Sequence, residues 1–85
     1  KVVSGMNEQV LRFIKLYPNP VTNYFKIEGF DGKGTIKIFD LKGKLMLNKP
    51  VLSVESINIV SLPIGNYLVK LTAPEGLMEW KIIKK

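Results

Sequence analysis

The strongest constraint on this chain is a period of two. Apolar and polar residues alternate over short runs, and the runs are separated by clusters of glycine, proline, aspartate and asparagine. Side chains two apart share one face of a pleated strand, so such runs suit half-buried strands and give a helix no continuous apolar stripe. The clearest run is Asn66 to Thr72, in which Tyr67, Val69 and Leu71 share a face. Leu77 to Lys85 turns Met78, Trp80 and Ile82 inward and Glu79 and Lys81 outward, and Ser56 to Val60 turns Ile57 and Ile59 inward. Tyr24 to Gly29 does the same with Phe25 and Ile27, as does Thr35 to Asp40 with Ile36 and Ile38. Lys44 to Asn48 is a shorter strand that Pro50 is expected to disrupt at its far end. Val10 to Tyr17 is rich in strand formers until Pro18 and Pro20 remove ladder donors.

The turns set the expected connections. Asp31-Gly32-Lys33-Gly34 reads as a hairpin that pairs the strands on either side of it, and Asp40-Leu41-Lys42-Gly43-Lys44 as a second, with Asp40 opening a type I turn and Gly43 closing it in the left-handed region. Leu62-Pro63-Ile64-Gly65 and Ala73-Pro74-Glu75-Gly76 deliver the last two strands. Seven short strands with no helical period predict an all-β fold, an immunoglobulin-like antiparallel β-sandwich. A small open barrel competes, because alternation does not separate two packed sheets from one curled sheet. Eighty-five residues, 46% of them hydrophobic, suffice for one domain. Residues 1–9 show no period and read as a linker from a preceding part of a parent protein, which leaves 10–85 as the domain.

Chemistry is narrowed by what the composition lacks. Without cysteine or histidine the chain has no disulfide framework, no thiolate or imidazole zinc site, no Ser-His-Asp or Cys-His pair and no imidazole base. The carboxylates Glu8, Glu28, Asp31, Asp40, Glu55, Glu75 and Glu79 form no recognised metal loop, and Asp31 and Asp40 sit beside turn glycines, where they cap backbone. Gly29, Gly32 and Gly34 lack the following helix that a phosphate cradle needs. No nucleophile, base, metal set or cofactor site can be named, so an enzyme is not expected. The net charge of +6 comes from 13 basic residues, all lysine except Arg12, spread from Lys1 to Lys85. Nucleic-acid readers concentrate arginine forks, so a solvated lysine surface is the expectation and nucleic acid is not a partner. No apolar run reaches the ~18–20 residues that span a bilayer, and Lys1 to Gly5 lacks a signal-peptide core, so no stable membrane insertion is expected. Of the aromatics, Phe25, Tyr67 and Trp80 face inward, which leaves Tyr17, Tyr24, Phe30 and Phe39 as candidates for an exposed sugar-stacking platform.

Leu16-Tyr17-Pro18-Asn19-Pro20, Asp40-Leu41-Lys42-Gly43-Lys44, Leu62-Pro63-Ile64-Gly65-Asn66-Tyr67 and a lysine-tipped last strand occur in that order. From Leu16 to Lys85 the chain resembles the type A C-terminal sorting domains of the type IX, or Por, secretion system of Bacteroidetes. That resemblance implies an immunoglobulin-like, non-catalytic domain that directs a parent protein across the outer membrane. Its partners would be the translocon and shuttle proteins, and a surface sortase that usually removes it. The parent would pass through the periplasm to the cell surface or medium, and many such cargoes are joined to an anionic lipopolysaccharide. The signal residues it implies are Pro18, Asn19, Pro20, Gly43, Gly65, Tyr67, Lys81, Lys84 and Lys85.

Physical chemistry gives these residues different tasks. The prolines, glycines and Tyr67 shape turns and fill the core, whereas Lys81, Lys84 and Lys85 are expected to be solvated and free to meet an acidic partner. A last strand with a free edge would let a partner extend the sheet by strand addition, and would favour weak dimers through the same edge. On physics alone the same lysines could merely guard that edge against aggregation. The alternative function is a carbohydrate-binding or structural immunoglobulin-like module, which for sugar binding requires Tyr24 and Phe39 exposed on one sheet face. Ser4-Gly5 is a plausible flexible site, but no sortase cut can be placed.

Overall fold

A computed structural model describes residues 14–30, 32–52, 55–74 and 76–85. The expected linker 1–9 and the first four residues of the expected strand from Val10 lie outside these described residues. Seven strands follow in order: β1 (Lys15–Tyr17), β2 (Tyr24–Glu28), β3 (Lys33–Asp40), β4 (Leu45–Leu52), β5 (Ser56–Asn58), β6 (Gly65–Ala73) and β7 (Gly76–Lys84). They form two antiparallel sheets, one in the order β1-β2-β5 and the other β4-β3-β6-β7. Three strands facing four in this connection order is the immunoglobulin-like sandwich expected from the alternation.

The inward positions are the ones the period selects. Phe25, Ile27 and Ile57 from the smaller sheet meet Ile36, Ile38, Val69, Leu71 and Ile82 from the larger, and all are at most 1% exposed. Each such side chain contributes about 1.5–3 kcal/mol of burial. Met78 and Trp80 pack partly buried against this core.

Three expectations are corrected. First, β2 and β3 do not form a hairpin. They belong to different sheets: β2 pairs with β1 and β5 while β3 pairs with β4 and β6. A Cβ on Gly34 would lie 2.9 Å from Leu71 Cδ1 and 3.0 Å from the Thr72 carbonyl oxygen, so this glycine lets β3 run close beside β6. Second, Pro50 does not end β4. It lies within the strand opposite Thr35, and β4 tolerates it because it is an edge strand with a partner on one side only. Third, Phe30 is no surface aromatic, since it is 5% exposed and belongs to the core.

The β3–β4 turn is built as its sequence suggests. The Asp40 carboxylate accepts the N–H groups of Lys42 and Lys44, both at 2.9 Å, and the Gly43 N–H donates to the Asp40 carbonyl at 3.0 Å. Gly43 has φ 88°, the left-handed region that a side chain makes costly. Beyond the turn the β3–β4 register slips between Ile38 and Phe39, which leaves Met46 as the extra residue of a bulge.

Candidate functional site

The Pro18-Asn19-Pro20 segment leaves β1, crosses the open side of the sandwich and lies against β7. Both X-Pro bonds here, Tyr17-Pro18 and Asn19-Pro20, are cis. At its end Val21, fully buried, forms a parallel bridge to Lys84. The Val21 N–H donates to the Ile83 carbonyl and the Lys85 N–H donates to the Val21 carbonyl, both at 2.8 Å. A parallel ladder continued two residues back would bond residue 19 to the Lys81 carbonyl and the Ile83 N–H. Those two bonds exist, but the Asn19 side chain makes them. Its Nδ2 donates to the Lys81 carbonyl at 2.9 Å, and its Oδ1 accepts the Ile83 N–H at 3.0 Å. Between two prolines that carry no N–H, the carboxamide serves as the peptide group that continues the ladder.

This strap changes the expected picture of the last strand. β7 is at the edge of its sheet, as strand addition requires. Yet its outward backbone groups from the Lys81 carbonyl to the Lys85 N–H are already bonded to Asn19 and Val21. The lysine-bearing end is a closed edge, not a free one. Within β7, it is the half before Lys81 whose outward groups lack such a cover among the described residues.

The implied signal residues divide into groups. Pro18 and Pro20 are exposed on the strap. Lys81 and Lys85 are exposed, but Lys84 is only 7% exposed, which corrects the expectation of a solvated ammonium. Lys84 is in phase with Ile82 and points inward; its cross-strand neighbour is Gly65, which has no side chain, and its long stem can lead the charge back toward water. Gly65 opens β6. Two residues on, Tyr67 is 4% exposed and its hydroxyl donates to the Pro63 carbonyl. A tyrosine near the start of this strand that bonds backbone a few residues upstream is the tyrosine corner of immunoglobulin-like sandwiches. Asn19, Tyr67 and Lys81 line one cavity, while Gly43 sits two residues beyond Leu41, which lines it too. Val21 was missed by sequence reasoning. A lone valine after Pro20 carries no period, and nothing local marks its partner near the other end of the chain.

Among the described residues no three His, Cys, Asp or Glu side chains gather as metal ligands, and no helix is long and apolar enough to cross a membrane. The sugar platform is not assembled either. Tyr24, 52% exposed, is on the smaller sheet, whereas Phe39 is half-buried on the larger with the Lys70 ammonium 5.3 Å from its ring centroid. Tyr17 hydrogen-bonds Glu28. That bond, slight desolvation and the carboxylate's charge hold its hydroxyl above the ordinary tyrosine pKa.

Comparison with known proteins gives one family. Residues 15–85 match the model of the secretion system C-terminal sorting domain, and a search of curated proteins returned no match. The match begins at the first residue of β1 and runs through the strap and β7, the two parts that the Asn19 carboxamide and Val21 join. The chain therefore belongs to the family of C-terminal sorting domains, the signals that send proteins through the type IX secretion system to the cell surface or medium.

Proposed function

We propose that the chain is a non-catalytic address read in its folded form, and that the machinery recognises the junction of strap and last strand rather than a linear run of residues. One observation carries this reading: Asn19 and Val21 bind the backbone of Lys81 to Lys85, so the two ends of the family pattern form one structure. Pro18, Asn19, Pro20, Gly43, Gly65 and Tyr67 act by building that structure. Lys81 and Lys85, which stay exposed, meet the partner, whereas Lys84 helps to build β7. The domain, taken as 10–85, acts after its parent reaches the periplasm. Shuttle and translocon components read it there, and a surface sortase usually removes it.

The test is to fuse Lys1 to Lys85 behind a periplasm-targeted fluorescent reporter, in Bacteroidetes hosts with and without a working type IX system. Fluorescence at the surface or in the medium of the competent host alone, with a product shorter by about one domain, is the expected result. Retention in the periplasm of both hosts overturns the proposal.

A further inference from the structure

Segments far apart in the chain meet at one groove on the outside of the four-stranded sheet. It encloses about 500 Å³, within the range of ligand sites, and its walls include Asn19, Leu41, Asn66, Leu68, Lys81 and Ile83. The register explains the gathering. Phe39, Leu68 and Lys81 are successive neighbours across β3, β6 and β7, with Leu45 opposite Phe39 at the bulge and Ile83 opposite Asn66 one row away. On a solvent-facing sheet these places should be polar, yet Leu41 is 73%, Ile83 48% and Leu45 45% exposed.

The rim is basic. Lys37, Lys42, Lys44 and Lys81 are exposed around this face. Among the described residues the carboxylate on the face is Glu79, which is 3.7 Å from Lys70, and the Asp40 carboxylate is turned onto the turn's backbone. An apolar floor inside a positive rim selects a partner with the complementary pattern. We infer that the groove docks an extended segment of a partner protein in which bulky apolar side chains are flanked by carboxylates. A second copy of this chain fits poorly, because a net charge of +6 would set lysine rims against each other. That the partner is a component of the secretion machinery rests on the sorting-domain reading; the chemistry of the groove does not.

The experiment has two arms. In the first, fluorescence anisotropy follows the folded domain binding a short labelled peptide with two leucines set among glutamates, beside a counterpart with glutamine for glutamate. The glutamate peptide should bind at least about tenfold more tightly, and should lose most of that advantage at high salt. Leu41→Ser with Ile83→Ser, and separately Lys42→Glu with Lys81→Glu, should each weaken it by about tenfold or more. Tyr24→Ser with Lys26→Glu, on the outside of the other sheet, should leave it unchanged. All six side chains are exposed, and unchanged thermal melting verifies that each variant is folded. Equal binding by groove and control variants, equal binding of the two peptides, preferential binding to anionic phospholipid vesicles, or self-association that removes peptide binding overturns the inference. In the second arm the same variants are exported as reporter fusions. Export of both groove variants at the wild-type level overturns the groove as the recognition face while leaving the address reading intact. Failure of the wild type itself counts against the address reading, and peptide binding then still decides the groove.

Discussion

Replacing Asn19 by alanine removes both ends of the carboxamide bridge. It breaks the 2.9 Å bond to the Lys81 carbonyl and the 3.0 Å bond from the Ile83 N–H, and leaves the two Val21 bonds in place. A typical intramolecular hydrogen bond contributes a net ~0.5–1.5 kcal/mol, and exposure lets water replace part of each, so the expected loss is about 1–2 kcal/mol. For a domain of this size that lowers the melting temperature by about 4–15 °C. The second readout is residue-specific: the Ile83 amide should exchange with solvent much faster, while β7 amides that face β6, such as that of Ile82, should speed up only as far as the lost global stability allows. Asn19→Asp is the sharper control, because it keeps an acceptor for Ile83 but sets a carboxylate against the Lys81 carbonyl in place of a donor. Its loss should equal or exceed that of alanine at neutral pH, where the acid is ionised. A melting temperature within 1 °C of wild type for Asn19→Ala, together with unchanged Ile83 protection, would refute the view that this side chain completes a ladder.

Three more outcomes are expected. Lys84→Glu should lower the melting temperature by several degrees, because it sets a short carboxylate in an inward position. Lys84→Met should keep it and Lys85→Glu should leave it unchanged; equal effects of the two charge reversals would show that Lys84 is not buried. Gly43→Ala should cost about 1–2 kcal/mol through the left-handed backbone alone, since a Cβ there meets nothing within 4 Å, and Gly43→Asn should cost less; chemical denaturation measures both, and a neutral alanine would mean the turn has another conformation. The Tyr17 hydroxyl should ionise above the usual tyrosine range, and Glu28→Gln should bring it down, as read by ultraviolet absorbance. Because the folded pKa is the raised one, its stabilising effect is complete below the unfolded value near 10 and disappears as pH climbs through the folded value.

Which residues face the core was legible, and which sheet they belong to was not. Alternation places Phe25, Ile27, Ile36 and Ile38 inward, but it is identical for a strand in either layer, so the link between β2 and β3 was read as a hairpin. Pro50 was read by its missing donor, a rule that loosens at an edge, and edges are a property of the finished sheet. Lys84 was legible in principle. It has the parity of Met78, Trp80 and Ile82, but charge was weighed above phase. The Asp40 turn was recovered in full because all its bonds are local. Asn19 was the opposite case: the family pattern marked it, but its partners are 62 and 64 residues away, and no local rule reaches that far.

The carboxamide bridge also has a bearing on timing. A ribosome releases this chain from its first strand onward, and most of the sandwich can pair as it emerges. The Lys81 carbonyl and the Ile83 and Lys85 amides come last. Loop closure over more than sixty residues must therefore wait until β7 has been made. A copy broken off before Lys81 could form hairpins and bury much of a core, yet it would have nothing for Asn19 to hold. If the junction is what the exporter reads, then it certifies that the sandwich was made through β7, and cargo broken off earlier is held back without any separate inspector.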